Sequence, residues 1–285
     1  MSRVRIQHKN LSMEIETLGA RIMSFHDSGN EVMREASEGL QGYNGMVLAP
    51  WPNRIKDGQW SLAGQNYQLE INEPERNNAL HGFAYKTDFE VLGQTTNQLT
   101  LSANLNEPNG YPFDVELEIK YELSDQGFGC FVSAVNNSSV AVPFGIAFHP
   151  YYPADEQTRV SIPAKTHILT DKQMIPIGTE ANRNQNFSFR DVAFDDCFSE
   201  LERTNGIAEI KIDYEDRKIV LWQDEAFDFV MVFTTHDFES VSGQQTAMAI
   251  EAQSCAANSF NSEPGLLSPE ERFSGSWGLA VFGRS

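Results

Sequence analysis

Two stretches of the sequence place a proton-transfer group at the end of a strand-like run of small residues. In Phe144–His149, the bulky Phe144, Ile146 and Phe148 alternate with Gly145, Ala147 and His149. In Ala247–Gln253, Met248 and Ile250 alternate with Ala247, Ala249, Glu251 and Gln253. Alternate side chains of a β-strand point to opposite faces. Each stretch therefore has one large apolar face, suited to a core, and one nearly bare face that carries an ionisable group. Small residues leave room above a sheet. A carboxylate and an imidazole in such a room are what general acid–base chemistry needs. Either face alone could simply meet solvent, with Glu251 an ordinary surface charge. Finding the pattern twice, once with a potential acid and once with a potential base, favours a pocket.

Two other residues could act on a ligand. His81, in NALHGF (78–83), precedes a glycine that would let the backbone close on a ligand; a lone histidine there could equally be structural or exposed. Arg54, in APWPNRI (49–55), follows a proline-bracketed tryptophan. Its guanidinium could be a forked donor to hydroxyl or carboxylate oxygens, or a surface ion-pair partner. Metal-ligand spacings such as HxH or HxxxH do not occur, nor do a GxSxG elbow, a phosphate-binding loop or a dinucleotide fingerprint. No metal and no cofactor are expected.

The elements that must position these groups read as strands. In Asp114–Leu123, Val115, Leu117, Ile119 and Tyr121 alternate with Glu116, Glu118, Lys120 and Glu122, the rhythm of a half-buried strand. Ile207–Tyr214 repeats it, while Lys218–Gln223 and Asp228–Thr235 are denser apolar runs, as in strands covered on both faces. Turn signals at Asp57–Gly58 and Pro108–Gly110 separate such runs. Helix is expected only in short pieces, such as a turn near Ser268–Arg272 that starts with proline at its first position. With no repeat, linker or shift in composition, residues 1–285 read as one large all-β domain of packed antiparallel sheets.

Composition narrows the partners. The 285 residues carry a formal charge of −19, which repels nucleic acid and anionic membrane. The three cysteines, Cys130, Cys197 and Cys255, are far apart and form no CxxC pair; a reducing cytoplasm fits. The first residues lack the apolar run of a signal peptide, and no segment is long and apolar enough to span a bilayer. The expected partner is a small neutral molecule.

In order along the chain, several segments resemble the aldose 1-epimerase (galactose mutarotase) family: NRIKDGQW to LHG (53–82), GYPF (110–113), FGIAFHPYY (144–152), DDCF (195–198) and IEAQSCAANSFN (250–261). The resemblance implies a large antiparallel β-sandwich, the galactose mutarotase-like supersandwich, with a monosaccharide held on a concave sheet face. It implies Glu251 as general base and His149 as general acid. Arg54 and His81 become sugar-binding residues, Asn53 a support for Arg54, and Asp195 a hydroxyl-binding carboxylate whose alignment competes with Asp196. It further implies a cofactor-free enzyme that interconverts the α and β anomers of galactose or glucose, as a monomer or homodimer. Two departures touch substrate contacts: Met231 stands where the family often has glutamine, and Phe83 where it has a second glycine. In a related branch acting on hexose 6-phosphates an arginine follows HisGlyPhe; here Tyr85 occupies that place and Lys86 is expected to point away. An unphosphorylated sugar is therefore expected, unless Arg76 or Arg183 reaches the pocket. The alternatives are a non-catalytic carbohydrate binder, a hexose-6-phosphate 1-epimerase, and a glycoside hydrolase, which ordinarily needs two flanking carboxylates.

Overall fold

The alternation in 114–123 is realised in full. In the computed structural model, which describes residues 2–37, 39, 41–240 and 243–283, the strand Tyr111–Ser124 buries Val115, Leu117, Ile119, Tyr121 and Leu123 and turns Glu116 and Glu118 to solvent. It lies within a nine-stranded sheet running Glu90–Gln94, Gln98–Glu107, Tyr111–Ser124, Gly127–Asn136, Arg272–Gly283, Arg217–Gln223, Ala208–Asp213, Arg159–Ser161 and Asn186–Ser188. A second, eight-stranded sheet runs Pro176–Ala181, Ala164–Thr170, Asp195–Leu201, Phe229–Ser240, Gly243–Gln253, Ala147–Phe148 and Val47–Leu48, with Tyr151–Pro153 also on Gly243–Gln253. The ladders within both sheets are antiparallel. A four-stranded sheet, Arg3–His8 to Asn30–Met33, adds to the same core.

The two large sheets meet through their bulky faces. Phe148, Val232, Met248 and Ile250 of the eight-stranded sheet share one apolar cluster with Leu117, Val132, Leu221 and Trp277 of the nine-stranded sheet. The Phe148 and Trp277 rings lie 5.1 Å apart. Burying each such side chain contributes about 1.5–3 kcal/mol, so the small-residue faces are left on the far side of the sheet. This is the sandwich the sequence predicts.

Two local expectations are corrected. Ser268–Arg272 is a turn, and among the described residues helix is limited to four short 3₁₀ turns, Gln41–Tyr43, Ala84–Lys86, Phe189–Asp191 and Ser259–Asn261. The Glu271 N–H donates to the Ser268 carbonyl (3.0 Å), the Ser268 N–H donates to the Glu271 carboxylate (2.7 Å), and Glu270 takes φ +62°. Strands at Leu266–Leu267 and Arg272–Gly283 leave no length for a helix. The run from Phe144 is likewise not one strand: only Ala147–Phe148 pairs as a strand, and His149 lies in the break before Tyr151–Pro153. No helix among the described residues is long and apolar enough to cross a membrane.

Candidate active site

The break at His149 places it. Ala147 pairs with Gln253 and Tyr151 pairs with Ala249, so the register sets His149 opposite Glu251. The backbone of His149 turns instead to the loop before Val47: its N–H donates to the Met46 carbonyl (3.1 Å) and its carbonyl accepts from the Gly45 N–H (2.8 Å). Gly45 sits at φ +72°, where a Cβ would come 1.9 Å from the Ile22 carbonyl oxygen; a side chain there would displace the loop that holds His149. The His149 Nε2 then lies 3.2 Å from Glu251 Oε1. Both groups are buried, His149 at 6% and Glu251 at 2% exposure, which removes the reading of Glu251 as a surface charge.

Burial acts on the two in opposite senses. It pushes the Glu251 carboxyl up to about 8, against a hydrogen bond from Gln253 that holds it down. It pulls the His149 imidazole down to about 4. Both shifts favour neutral forms. Gln253 Nε2 donates to Glu251 Oε2 at 3.0 Å, leaving Oε1 for His149.

Above the pair stands a polar wall. Arg54 is not a free fork. Its Nε and Nη2 grip Glu73 at 2.9 Å, and its Nη1 donates to the Asn53 side chain at 3.2 Å. Glu73 also accepts from Arg76 Nη1 (2.9 Å) and Asn78 Nδ2 (2.8 Å). Arg54 is therefore an ion-pair partner, but a buried one. His81 is fixed from the same turn: the Asn53 backbone N–H donates to His81 Nδ1 at 3.1 Å. That bond leaves the ring proton on Nε2, so His81 is a donor. Burial, then the neighbouring His149 and Arg54, hold it well below the usual histidine range and hence neutral. A Cβ at Gly82 would meet the Ala49 carbonyl oxygen at 2.1 Å, so glycine there serves the close packing of 82 on 49. The Tyr43 ring lies 4.6 Å from that of His81 and 6.3 Å from that of His149.

The register also separates the two aspartates. Cys197 pairs with Met231, and Met231 with Glu251; Asp195 pairs with Phe233, and Phe233 with Ala249. Asp195 thus shares the face of Glu251. Asp196 turns to the other side, where it meets His167 Nε2 at 2.8 Å. Burial raises the Asp195 carboxyl, while Arg54 and Arg76 counteract it. Met231 forms an apolar floor between Glu251 and Cys197, and Asn53 Nδ2 lies 3.7 Å from its sulfur. Among the described residues, no group of three or more His, Cys, Asp or Glu side chains could hold a metal ion.

Comparison with known proteins agrees with this architecture. The chain matches the profile of the aldose 1-epimerase family over residues 2–279. It belongs to the aldose 1-epimerase family. It is 27% identical over 265 residues to the uncharacterized protein YihR of Escherichia coli K12, covering 89% of this chain and 84% of that one. It is 29% identical over 153 residues to human galactose mutarotase, spanning 50% of this chain and 43% of the human protein. Among solved structures, a putative aldose 1-epimerase from Escherichia coli K12 superposes with a TM-score of 0.85 at 18% identity, covering 99% of both chains. Galactose 1-epimerase from Lactobacillus acidophilus gives 0.83 at 16% identity, covering 99% of this chain and 95% of that one. At such identities the likeness is one of fold.

In this aldose 1-epimerase family member, Glu251, His149, His81, Arg54, Asn53 and Asp195 come together around one sheet face. Three neighbours escaped the sequence reading. Gln253 was visible on the right face, but nothing local marks it as a donor to Glu251. Tyr43 and Glu73 carry no sequence signal, because their partners lie in distant segments.

Proposed function

We propose that the protein is a cofactor-free aldose 1-epimerase, a mutarotase that interconverts the α and β anomers of a free aldose such as galactose or glucose. The observation that carries this reading is the buried 3.2 Å contact between Glu251 and His149. The pair shares one transferable proton. In its charged tautomer, Glu251 takes the proton of the anomeric hydroxyl while His149 Nε2 gives its own to the ring oxygen. The C1–O5 bond breaks and the C1 carbonyl forms. The pair is now neutral, the form burial favours, so the open chain is not held beside two unscreened charges. Rotation about C1–C2 presents the other carbonyl face. O5 then adds to C1, His149 recovers its proton, and Glu251 returns its own to O1. No proton is gained or lost overall. His81 Nε2–H and the Arg54 guanidinium donate to sugar oxygens, and Asp195 accepts from a hydroxyl.

An unphosphorylated sugar fits best. Lys86 pairs with Glu70 at 3.0 Å, Tyr85 is buried, and Arg76 is bound to Glu73. A phosphate dianion needs free cationic donors, and Asp195 would repel it. Polarimetry on freshly dissolved α-galactose and α-glucose tests the reading, with glucose 6-phosphate as comparison. Acceleration of the free sugars is expected. No acceleration would leave a carbohydrate binder, and a higher kcat/KM for the phosphate would place the protein with the phosphosugar branch.

A further inference from the structure

Only one nitrogen of the His149 ring has a partner in another residue. Nε2 faces Glu251, but Nδ1 is buried and, among the described residues, only its own backbone reaches it. A proton-transferring imidazole is ordinarily oriented by a hydrogen bond on its second nitrogen. Here aromatic rings stand in that place. The Tyr151 ring lies 5.0 Å from that of His149 and is tilted by 32°. The Tyr43 ring lies 6.3 Å away and is tilted by 33°. His81 meets the same imidazole edge-on, at 5.5 Å and 86°.

Tyr43 reaches this place at a conformational cost. In the turn Gln41–Tyr43, Gly42 takes φ +65° and Tyr43 itself φ +53°, a left-handed backbone that bulky residues rarely adopt. The Tyr43 carbonyl accepts from the Met46 N–H (3.0 Å), and Met46 and Gly45 in turn hold the His149 backbone. One turn thus grips the backbone of His149 and lays a ring beside its side chain. Tyr43 is seated by Tyr85, edge-on at 5.0 Å and 88°, and by the cluster of Met46, Leu48 and Ala147. The other titratable groups about His149 are Glu251, His81 and Tyr151, with Arg54 near His81 and Asp195 near Tyr151. Glu251, His81, Tyr151 and His149 are all buried, whereas Tyr43 is partly exposed. Tyr43 is therefore the outer layer over the imidazole.

We infer that Tyr43 is a positioning residue for His149, whose ring holds the imidazole in line with Glu251 and keeps water off it. The inference rests on the reading of Glu251 and His149 as the proton-transfer pair. The test compares wild type, Tyr43→Gly and Tyr43→Phe on freshly dissolved glucose and galactose by polarimetry across pH. Glycine suits φ +53° and removes the ring; phenylalanine keeps the ring without the hydroxyl. Tyr43→Gly is expected to lower kcat about 10²-fold, the loss that follows a misplaced reacting group. Its KM stays within about threefold, as for an interaction that matters only in the transition state. Its acidic limb moves up from about 4 toward the ordinary histidine value of 6.5 as water reaches His149. Tyr43→Phe recovers both kcat and the limb. A rise in KM alone would make Tyr43 a wall of the sugar site, a lowered kcat with an unmoved limb would make it mere packing, and no recovery in Tyr43→Phe would assign the effect to the hydroxyl; each overturns the inference. If Tyr43→Gly does not fold, Tyr43→Asn takes its place, since asparagine also adopts that backbone; failure of both overturns the inference, because the ring would then hold the fold. If the wild type mutarotates neither sugar, the reading of the pair falls instead. NMR titration of the His149 ring in wild type and Tyr43→Gly then decides the role of Tyr43 alone: a raised midpoint in the variant supports it, an unchanged one overturns it.

Discussion

Glu251 Oε1 and His149 Nε2 lie 3.2 Å apart across neighbouring segments, where the strand Ala147–Phe148 stops one residue before the histidine. The break frees the His149 backbone to bond the Gly45–Met46 loop while its ring stays opposite Glu251. Proton transfer needs both side chains, so neither is replaceable by an isostere that cannot carry the proton. Glu251→Gln and His149→Asn are each expected to lower kcat at least ~10²-fold, the lower end for general acid–base catalysis. Near-normal turnover in either variant by polarimetry removes the pair from the mechanism.

The pair is active while it holds one proton. Below the lowered value of His149, about 4, it gains a second; above the raised value of Glu251, about 8, it loses its last. The rate is therefore expected to be bell-shaped, with an acidic limb near 4 and a basic limb near 8, both belonging to the coupled pair. A profile flat from mildly acidic to strongly basic pH contradicts this.

Gln253 is a positioning residue for Glu251, and its hydrogen bond opposes the effect of burial. Gln253→Met keeps the bulk and removes the donor. The basic limb is expected to move up by about one pH unit, the equivalent of one hydrogen bond to a charged group. A loss of activity with an unmoved limb would mean that Gln253 only packs.

Glu73 gathers Arg54, Arg76 and Asn78. Glu73→Gln leaves Arg54 buried without its counter-charge, a break that costs about 3–5 kcal/mol for a buried pair. The expected result is a lower Tm together with a KM that rises more than kcat falls. An unchanged KM in a folded variant would show that Arg54 does not hold the sugar.

Glu251 also makes stability depend on pH. Its folded-state carboxyl is raised from about 4.5 to about 8. Between these values the folded chain keeps a proton that the unfolded chain releases, so wild-type stability falls as pH rises through that window. Glu251→Gln has no such titration. Its Tm relative to wild type is expected to climb from pH 5 to pH 8 in thermal melts, and a constant difference contradicts the raised value.

Much of this was legible in the sequence, because strand alternation is a local property. The period of two in 114–123 and 247–253 is enough to sort side chains to faces, and it correctly separated the apolar faces of Met248 and Ile250 from those of Ala249 and Glu251. Local propensity failed at Ser268–Arg272, where two flanking strands left no room for the helix that SerProGluGlu would start.

What the tertiary structure decided was everything that depends on which segments meet. Asp195 and Asp196 are equivalent by composition; only the pairing of Asp195 with Phe233 sends one to Glu251 and the other to His167. The buried clamp of Glu73 on Arg54, the donation of Asn53 N–H to His81, and the gathering of the Tyr43 and Tyr151 rings about His149 are relations between segments or strands. The protonation of the pair follows the same rule. A carboxyl near 8 and an imidazole near 4 are set by the loss of water around Glu251 and His149, and desolvation exists only once distant parts of the chain have closed over them.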